Sequence, residues 1–126
     1  MIKAVADTHT VIWYIYADAR LSRAALAMIE TAAEAGDQVA VSSITLAEMV
    51  YLSERGRIRA EALGDERVVF SEVPLDSTVV RAMAAVPRDD VPDLPDRIIA
   101  ATAVRLQVPI ISRDGAIRSS RLQTVW

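Results

Sequence analysis

The sequence predicts a three-layer α/β/α fold, with helices covering both faces of a central parallel sheet of four to five strands. Three observations predict it. Runs of strand length alternate with runs of helical length along the chain, the order that parallel strands joined by helical crossovers require. The strand segments read as apolar runs rather than as apolar-polar alternations, the pattern of strands buried on both faces. The length of 126 residues, with 52% hydrophobic residues and no cysteine, suits one domain with a packed core and no disulfide framework.

Each element has its own justification. Ile2 to Ala6 is a short apolar strand, and Thr10 to Tyr16 (TVIWYIY) predicts a short helix. From Ser22, the run SRAALAMIETAAEAG offers a serine cap, apolar Leu26, Ile29 and Ala33 at helical spacing, and Gly36 as a stop. Val39 to Val41 is the second strand; Ser42 and Ser43 lead into ITLAEMVYLSERG, where Leu46, Met49 and Val50 fall at i, i+3 and i+4. Gly56 ends that helix or marks a break before Arg57 to Leu63. Val68 to Val73 is a third strand, followed by a helix in Asp76 to Ala85 that Asp76 or Ser77 can cap. Pro87, Pro92 and Pro95 interrupt the chain before a helix from about Asp96 to Gln107. Val108 to Ser112 is the fourth strand and Leu122 to Val125 a short fifth. With no repeats, low-complexity tracts or linkers, residues 1–126 are expected to form a single domain.

No apolar stretch approaches the roughly 20 residues of a membrane span, and the N-terminus lacks the pattern of a signal peptide. A cytoplasmic location is therefore expected. The formal charge of -3 means that the whole-molecule field does not attract nucleic acid, so a polyanion would have to be held by local arginines or a bound cation. Every basic residue but Lys3 is arginine, the side chain best suited to bidentate phosphate contacts. With one histidine and no cysteine there is no three-histidine zinc site and no thiol nucleophile, and neither a GxSxG elbow nor a P-loop occurs.

What the sequence does offer is carboxylates. In open parallel sheets, sites form outside the carboxyl ends of the strands where strand order reverses. Asp7 follows the first strand, and Asp114 follows the fourth in SRDG. Glu48 lies in the first turns of the helix entered from the second strand, and Asp96 opens the helix that feeds the fourth. Each has an ordinary explanation by itself. Asp96 favours the helix macrodipole, with Asp93 as N-cap; Asp114 before Gly115 is a turn pair; Glu48 is a solvated residue, although its apolar neighbours suggest a largely buried helix. Asp7 at a strand end is hardest to explain this way. Together the acids would repel one another unless a hard cation neutralised them, which points to Mg2+ or Mn2+ and to metal-activated water attacking a phosphodiester.

The segments DTHTVIWYI, SSITLAEMVYLSERGRI, PDRIIAATAVRL and IISRDGAI, in this order, resemble the motifs of the PIN-domain ribonucleases, in particular the VapC toxins of bacterial type II toxin-antitoxin systems. The resemblance covers essentially the whole chain. It implies a PIN-like fold and an acidic Mg2+ or Mn2+ site on Asp7, Glu48, Asp96 and Asp114. Asp7 and Asp96 would be the firmest ligands, Glu48 would bind metal or orient its water, and Asp114 would act through a further water. Thr8 and Ser112 would be supporting hydrogen-bond groups, and Asp93 a cap. The resemblance also implies an RNA substrate, a homodimer and a small antitoxin that wraps an apolar groove; Trp13, Tyr14 and Tyr16 are candidates for it, with plain core the favoured role for some of them and base stacking a third. His9 is expected to be structural or positioning, and Arg97, Arg113 and Arg118 are candidate RNA phosphate contacts.

Other functions fit less well. A haloacid-dehalogenase-type phosphatase needs a second acid two residues after the first, where this chain has His9. A PIN-like nuclease of RNA processing, or a PIN-fold binding module without turnover, remains compatible with the residues. Metal-dependent cleavage separates the module from the nuclease, and a short partner gene immediately upstream separates the toxin from the processing enzyme.

Overall fold

The structure, a computed structural model, describes residues 1–59 and 70–126. Among these, five strands form one sheet: β1 (Ile2–Ala6), β2 (Gln38–Ser42), β3 (Phe70–Val73), β4 (Ile110–Ile111) and β5 (Thr124–Val125), in the order β3-β2-β1-β4-β5. Every neighbouring pair is parallel. The helices are α1 (Thr8–Ile15), α2 (Arg23–Glu34), α3 (Ser43–Glu54), α4 (Ser77–Ala82), α5 (Leu94–Leu106) and α6 (Gly115–Ser119), with a 3-10 turn at Met83–Ala85. Strand order runs outward from β1 to β3 on one side and resumes at β4 on the other, so it reverses between β1 and β4. The register there places Val5 against Ile110 and Ala6 against Ile111.

Both faces of the sheet are buried, and period-2 alternation distributes its side chains between two cores. Ala4, Ala6, Val39, Val41 and Ile111 pack with residues of α1, α2 and α3. Val5, Ala40 and Ile110 pack with residues of α4, α5 and α6. Ile29, Ile99, Ile110 and Ile117 are fully buried, each contributing about 1.5–3 kcal/mol of transfer free energy. Lys3 departs from the apolar run of β1. Its ammonium lies 3.7 Å from Asp37, which also takes the N-terminal amine at 3.2 Å.

Several boundaries differ from those the sequence predicts, each for a local reason. α1 begins at Thr8 rather than Thr10, because Asp7 itself is its N-cap. α5 begins at Leu94 rather than Asp96: Asp93 caps it and Pro95 sits in its first turn, where a missing N–H costs nothing. The buried stripe of α2 is Ala25, Ile29 and Ala32 instead of Leu26, Ile29 and Ala33, since small alanines let the helix approach the sheet while Leu26 is 37% exposed. α3 is not largely buried: Thr45 and Met49 face inward, Leu46 is half-buried, and Val50 and Tyr51 are exposed. The segment Asp76 to Ala85 divides into α4 and the 3-10 turn, with Asp76 as the cap. β4 and β5 are two-residue cores of the longer runs predicted, whereas β2 is longer than Val39 to Val41 at both ends. Helix α6, capped by Asp114, was not predicted. Of the predicted stretches Arg57 to Leu63 and Val68 to Val73, residues 60–63 and 68–69 lie outside the described residues.

Candidate active site

Asp7 ends the central strand and is 5% exposed. Both of its carboxylate oxygens are occupied. Oδ1 accepts the Thr10 N–H at 2.9 Å, closing the first turn of α1, and Oδ2 accepts the Ser112 hydroxyl from the end of β4. The Ser112 oxygen in turn accepts the Asp114 N–H at 3.0 Å. Thr10 adds a bond across the same strand pair, its hydroxyl donating to the Ile111 carbonyl at 2.9 Å. The junction of β1 and β4 thus holds Asp7 in one orientation and aims the chain at Asp114, whose Oδ2 accepts the Ile117 N–H at 3.0 Å.

Glu48 enters from α3. The Thr8 hydroxyl donates to its Oε1 at 2.6 Å, and the buried Thr45 hydroxyl lies 3.1 Å from Thr8 Oγ1. A hydroxyl has one proton to give, so with the Thr8 proton on Glu48 the Thr45 hydroxyl is the donor to Thr8. The protons of this chain thus run from Thr45 to Thr8 to Glu48.

Asp96 is half-buried in the first turn of α5, its N–H donating to Asp93 at 3.1 Å. Burial, and after it the charges of Asp114, Asp93, Asp7 and Glu48, raise its carboxyl from 3.8 to about 7. The macrodipole would act in the opposite direction, so burial, together with the repulsion of the neighbouring acids, outweighs it. Asp96 is where the electrostatic cost of gathering these carboxylates is concentrated.

A cavity of about 320 Å³ is lined by Asp7, Asp96 and Asp114 together with His9, Trp13, Arg20 and Arg113. Three predicted acids therefore share one cavity, while Glu48 reaches the group through Thr8 and through its effect on Asp96. Of the three predicted arginines, only Arg113 lines it. Arg97 instead donates to the carbonyls of Val86 at 2.7 Å and Met83 at 3.0 Å, tying the 3-10 turn to α5. Arg118 is exposed on α6. His9 stands 5.6 Å from the Trp13 ring. Tyr14 meets Phe70 edge-on at 5.7 Å, and the Tyr16 hydroxyl accepts the Arg59 N–H at 2.8 Å, so both serve the edge of the α1 core. Arg20 is the cavity residue that sequence reasoning missed: nothing local marks it beyond a turn with Asp18, and its approach to Trp13 is tertiary.

Among the described residues, no three His, Cys, Asp or Glu side chains are placed to hold a metal ion together. The donor set is nevertheless that of a hard cation which takes one or two carboxylates and completes its shell with water and phosphate. The raised carboxyl of Asp96 fits such an ion, because a positive charge in the cavity would offset both the burial and the repulsion that raise it.

Comparison with known proteins accords with this architecture. A family model described as PIN domain matches residues 4–120. Ribonuclease VapC22 of Mycobacterium tuberculosis (strain ATCC 25618 / H37Rv) is 30% identical over 134 aligned residues, covering 100% of both chains. A chain in the crystal structure of VapBC2 from Rickettsia felis bound to a promoter DNA fragment superposes with a TM-score of 0.72 at 16% identity, covering 98% of this chain and 97% of that one. A chain of a toxin-antitoxin complex from Klebsiella pneumoniae gives a TM-score of 0.67 at 24% identity with the same coverage, 98% and 97%. These two likenesses speak to the fold. The family match and the full-length relative carry further: the chain belongs to the PIN domain family, among the VapC ribonucleases.

Proposed function

We propose that the chain is a metal-dependent endoribonuclease that hydrolyses RNA phosphodiesters and acts as the toxin of a VapBC-type toxin-antitoxin pair. The observation that carries the proposal is the gathering of Asp7, Asp96 and Asp114, from three separate elements, around one cavity at the reversal of strand order. The full-length similarity to a protein named ribonuclease, and folds shared with chains of toxin-antitoxin complexes, support it.

In this proposal Asp7 and Asp96 hold Mg2+ or Mn2+ directly, with Glu48 and Asp114 completing the site directly or through water. Such an ion, when bound, supplies an activated water and stabilises charge on the reacting phosphate. The chain's own contribution is orientation. Ser112 and the Thr10 N–H fix the Asp7 oxygens, Thr8 fixes Glu48, and the Asp96 carboxyl keeps a proton near neutrality until positive charge enters. The partner is a small antitoxin protein and the assembly a homodimer. Among the described residues no helix is long and apolar enough to cross a membrane, which accords with action on cytoplasmic RNA.

The test is incubation of purified, antitoxin-free protein with total RNA in Mg2+ or Mn2+, against EDTA and Asp7→Asn controls, with the new ends mapped. Asparagine retains the capping function of Asp7 and removes its charge, so the fold is preserved. Metal-dependent cutting lost in Asp7→Asn is expected. Absence of metal-dependent cutting, or full activity in Asp7→Asn, would overturn the proposal.

A further inference from the structure

The cavity has a second side that its acids do not explain. The Trp13 indole is 8% exposed and is held between neighbours, with His9 at 5.6 Å and Trp126 at 5.7 Å. Over it lie two guanidinium groups, Arg20 at 5.0 Å and Arg113 at 5.5 Å from the ring centroid. Arg20 is pinned by two hydrogen bonds to Asp18, from Nε at 3.0 Å and Nη2 at 2.8 Å, and its Nη1 has no partner among the described residues. Arg113 is exposed.

Arg113 also lies within a cavity lined by three carboxylates and pairs with none of them: the ion pairs among the described residues are Met1 with Asp37, Lys3 with Asp37 and Arg20 with Asp18. An arginine beside acids ordinarily turns to them, because a charge-assisted bond is stronger than a cation–π contact at an exposed site. Here the indole draws the guanidinium, and its planar fork stays available at the cavity edge. An entering polyanion meets repulsion from the acids, and a fixed cation beside them offsets it.

We propose that Arg20 and Arg113, stacked on Trp13, form a phosphate-docking subsite that holds an RNA backbone phosphate flanking the scissile bond. The subsite rests on the nuclease reading and adds to it the residues that place the strand. The arginine pair is a positioning device, and Trp13 is its rigid platform and built-in reporter.

The experiment measures binding of total RNA in Mg2+ to the Asp7→Asn protein, whose cap is intact, as a function of salt. The chain has two tryptophans, so Trp126→Phe in the same background assigns the fluorescence change to Trp13. Arg113→Gln is expected to weaken binding and to reduce the slope of log K against log salt by about 0.7, the contribution of one phosphate contact on a single strand. Arg113→Lys should keep that slope while losing part of the affinity, since it retains charge without the planar fork. Arg20→Gln should weaken binding too, and in the cutting-competent chain both Gln variants should raise KM more than they lower kcat. An unchanged salt slope and affinity in both Gln variants, with binding by the parent intact, overturns the subsite even if their melting temperatures fall. Failure of the parent to bind RNA at all overturns the nuclease reading and the subsite together, so the two failures are distinguishable.

Discussion

Ser112 reaches across 105 residues of sequence to donate its hydroxyl proton to Asp7, and its oxygen accepts the Asp114 N–H at 3.0 Å. One buried hydroxyl thereby fixes the acid at the end of β1 and the start of the turn carrying the acid after β4. Its effect is larger than one bond, because its removal leaves two buried groups unpaired.

Ser112→Ala is therefore expected to lower RNA cleavage about 10- to 100-fold, the usual consequence of losing a group that orients a metal-binding carboxylate. It should also cost about 1–3 kcal/mol of stability. Cleavage rates and thermal melts check this, and a variant with the parent's rate would show that Asp7 needs no such restraint.

Asp96 predicts a pH signature in metal-free protein. Its carboxyl sits at about 7 in the fold against 3.8 in a free chain, so between these values the folded state holds a proton that the unfolded chain has released. Stability from this group is thus present below about pH 4, declines as pH rises, and is fully lost above about pH 7. Asp96→Asn removes the dependence. Melted in EDTA, it should match the parent near pH 4 and exceed it at pH 8, by at most about 4 kcal/mol and by less in practice because the site is partly hydrated. Added Mg2+ should narrow that gap by stabilising the parent. Parallel stability curves across the whole range would remove Asp96 from the repelling group.

Thr45 does not line the acidic cavity, yet the direction of its bond decides what Glu48 receives. Thr45→Val frees the Thr8 oxygen of its donor and weakens the Thr8 grip on Glu48, whereas Thr45→Ser retains the proton. The expected outcome is a several-fold fall in kcat for the valine variant, with recovery in the serine variant at similar stability. Equal rates in all three chains would make Thr45 a packing residue only.

Arg97 separates structure from binding among the arginines next to the acids. Its two bonds to the Val86 and Met83 carbonyls lead us to expect that Arg97→Ala lowers stability by about 2–3 kcal/mol, on the scale of charged hydrogen bonds. The salt slope of RNA binding should stay unchanged in the protein that folds. A reduced slope would place Arg97 on the substrate after all.

The fold was legible where composition and punctuation agree. β1 is bounded by Asp7, α2 by Ser22 and Gly36, whose φ of 75° suits glycine, and Asp76 caps α4 as its position suggested. Less visible were elements held by a single tertiary contact. α6 is five residues long with Ile117 alone buried, so no periodicity announces it. Leu26 looked like core by hydrophobicity, but the space beside the sheet admits the smaller Ala25 and Ala32. In the site, Asp7 could be read because a carboxylate at a strand end is unusual, and the other acids only as members of a set directed to the same rim, whereas Arg20 and the Thr45 proton could not be read. Their significance comes from contacts that no local pattern announces, with Trp13 for one and with Thr8 for the other.

The strand order also bears on when the site can exist during synthesis. Among the described strands, β1 is made well before its neighbour β4. Closing so long a stretch of chain is slow as well as late. A chain halted on the ribosome before residue 110 carries Asp7 without Ser112, Asp114 or Arg113 beside it. Under the proposed function, the site is incomplete until Ser112, Arg113 and Asp114 have been made, so the delay in pairing β1 with β4 also postpones its assembly.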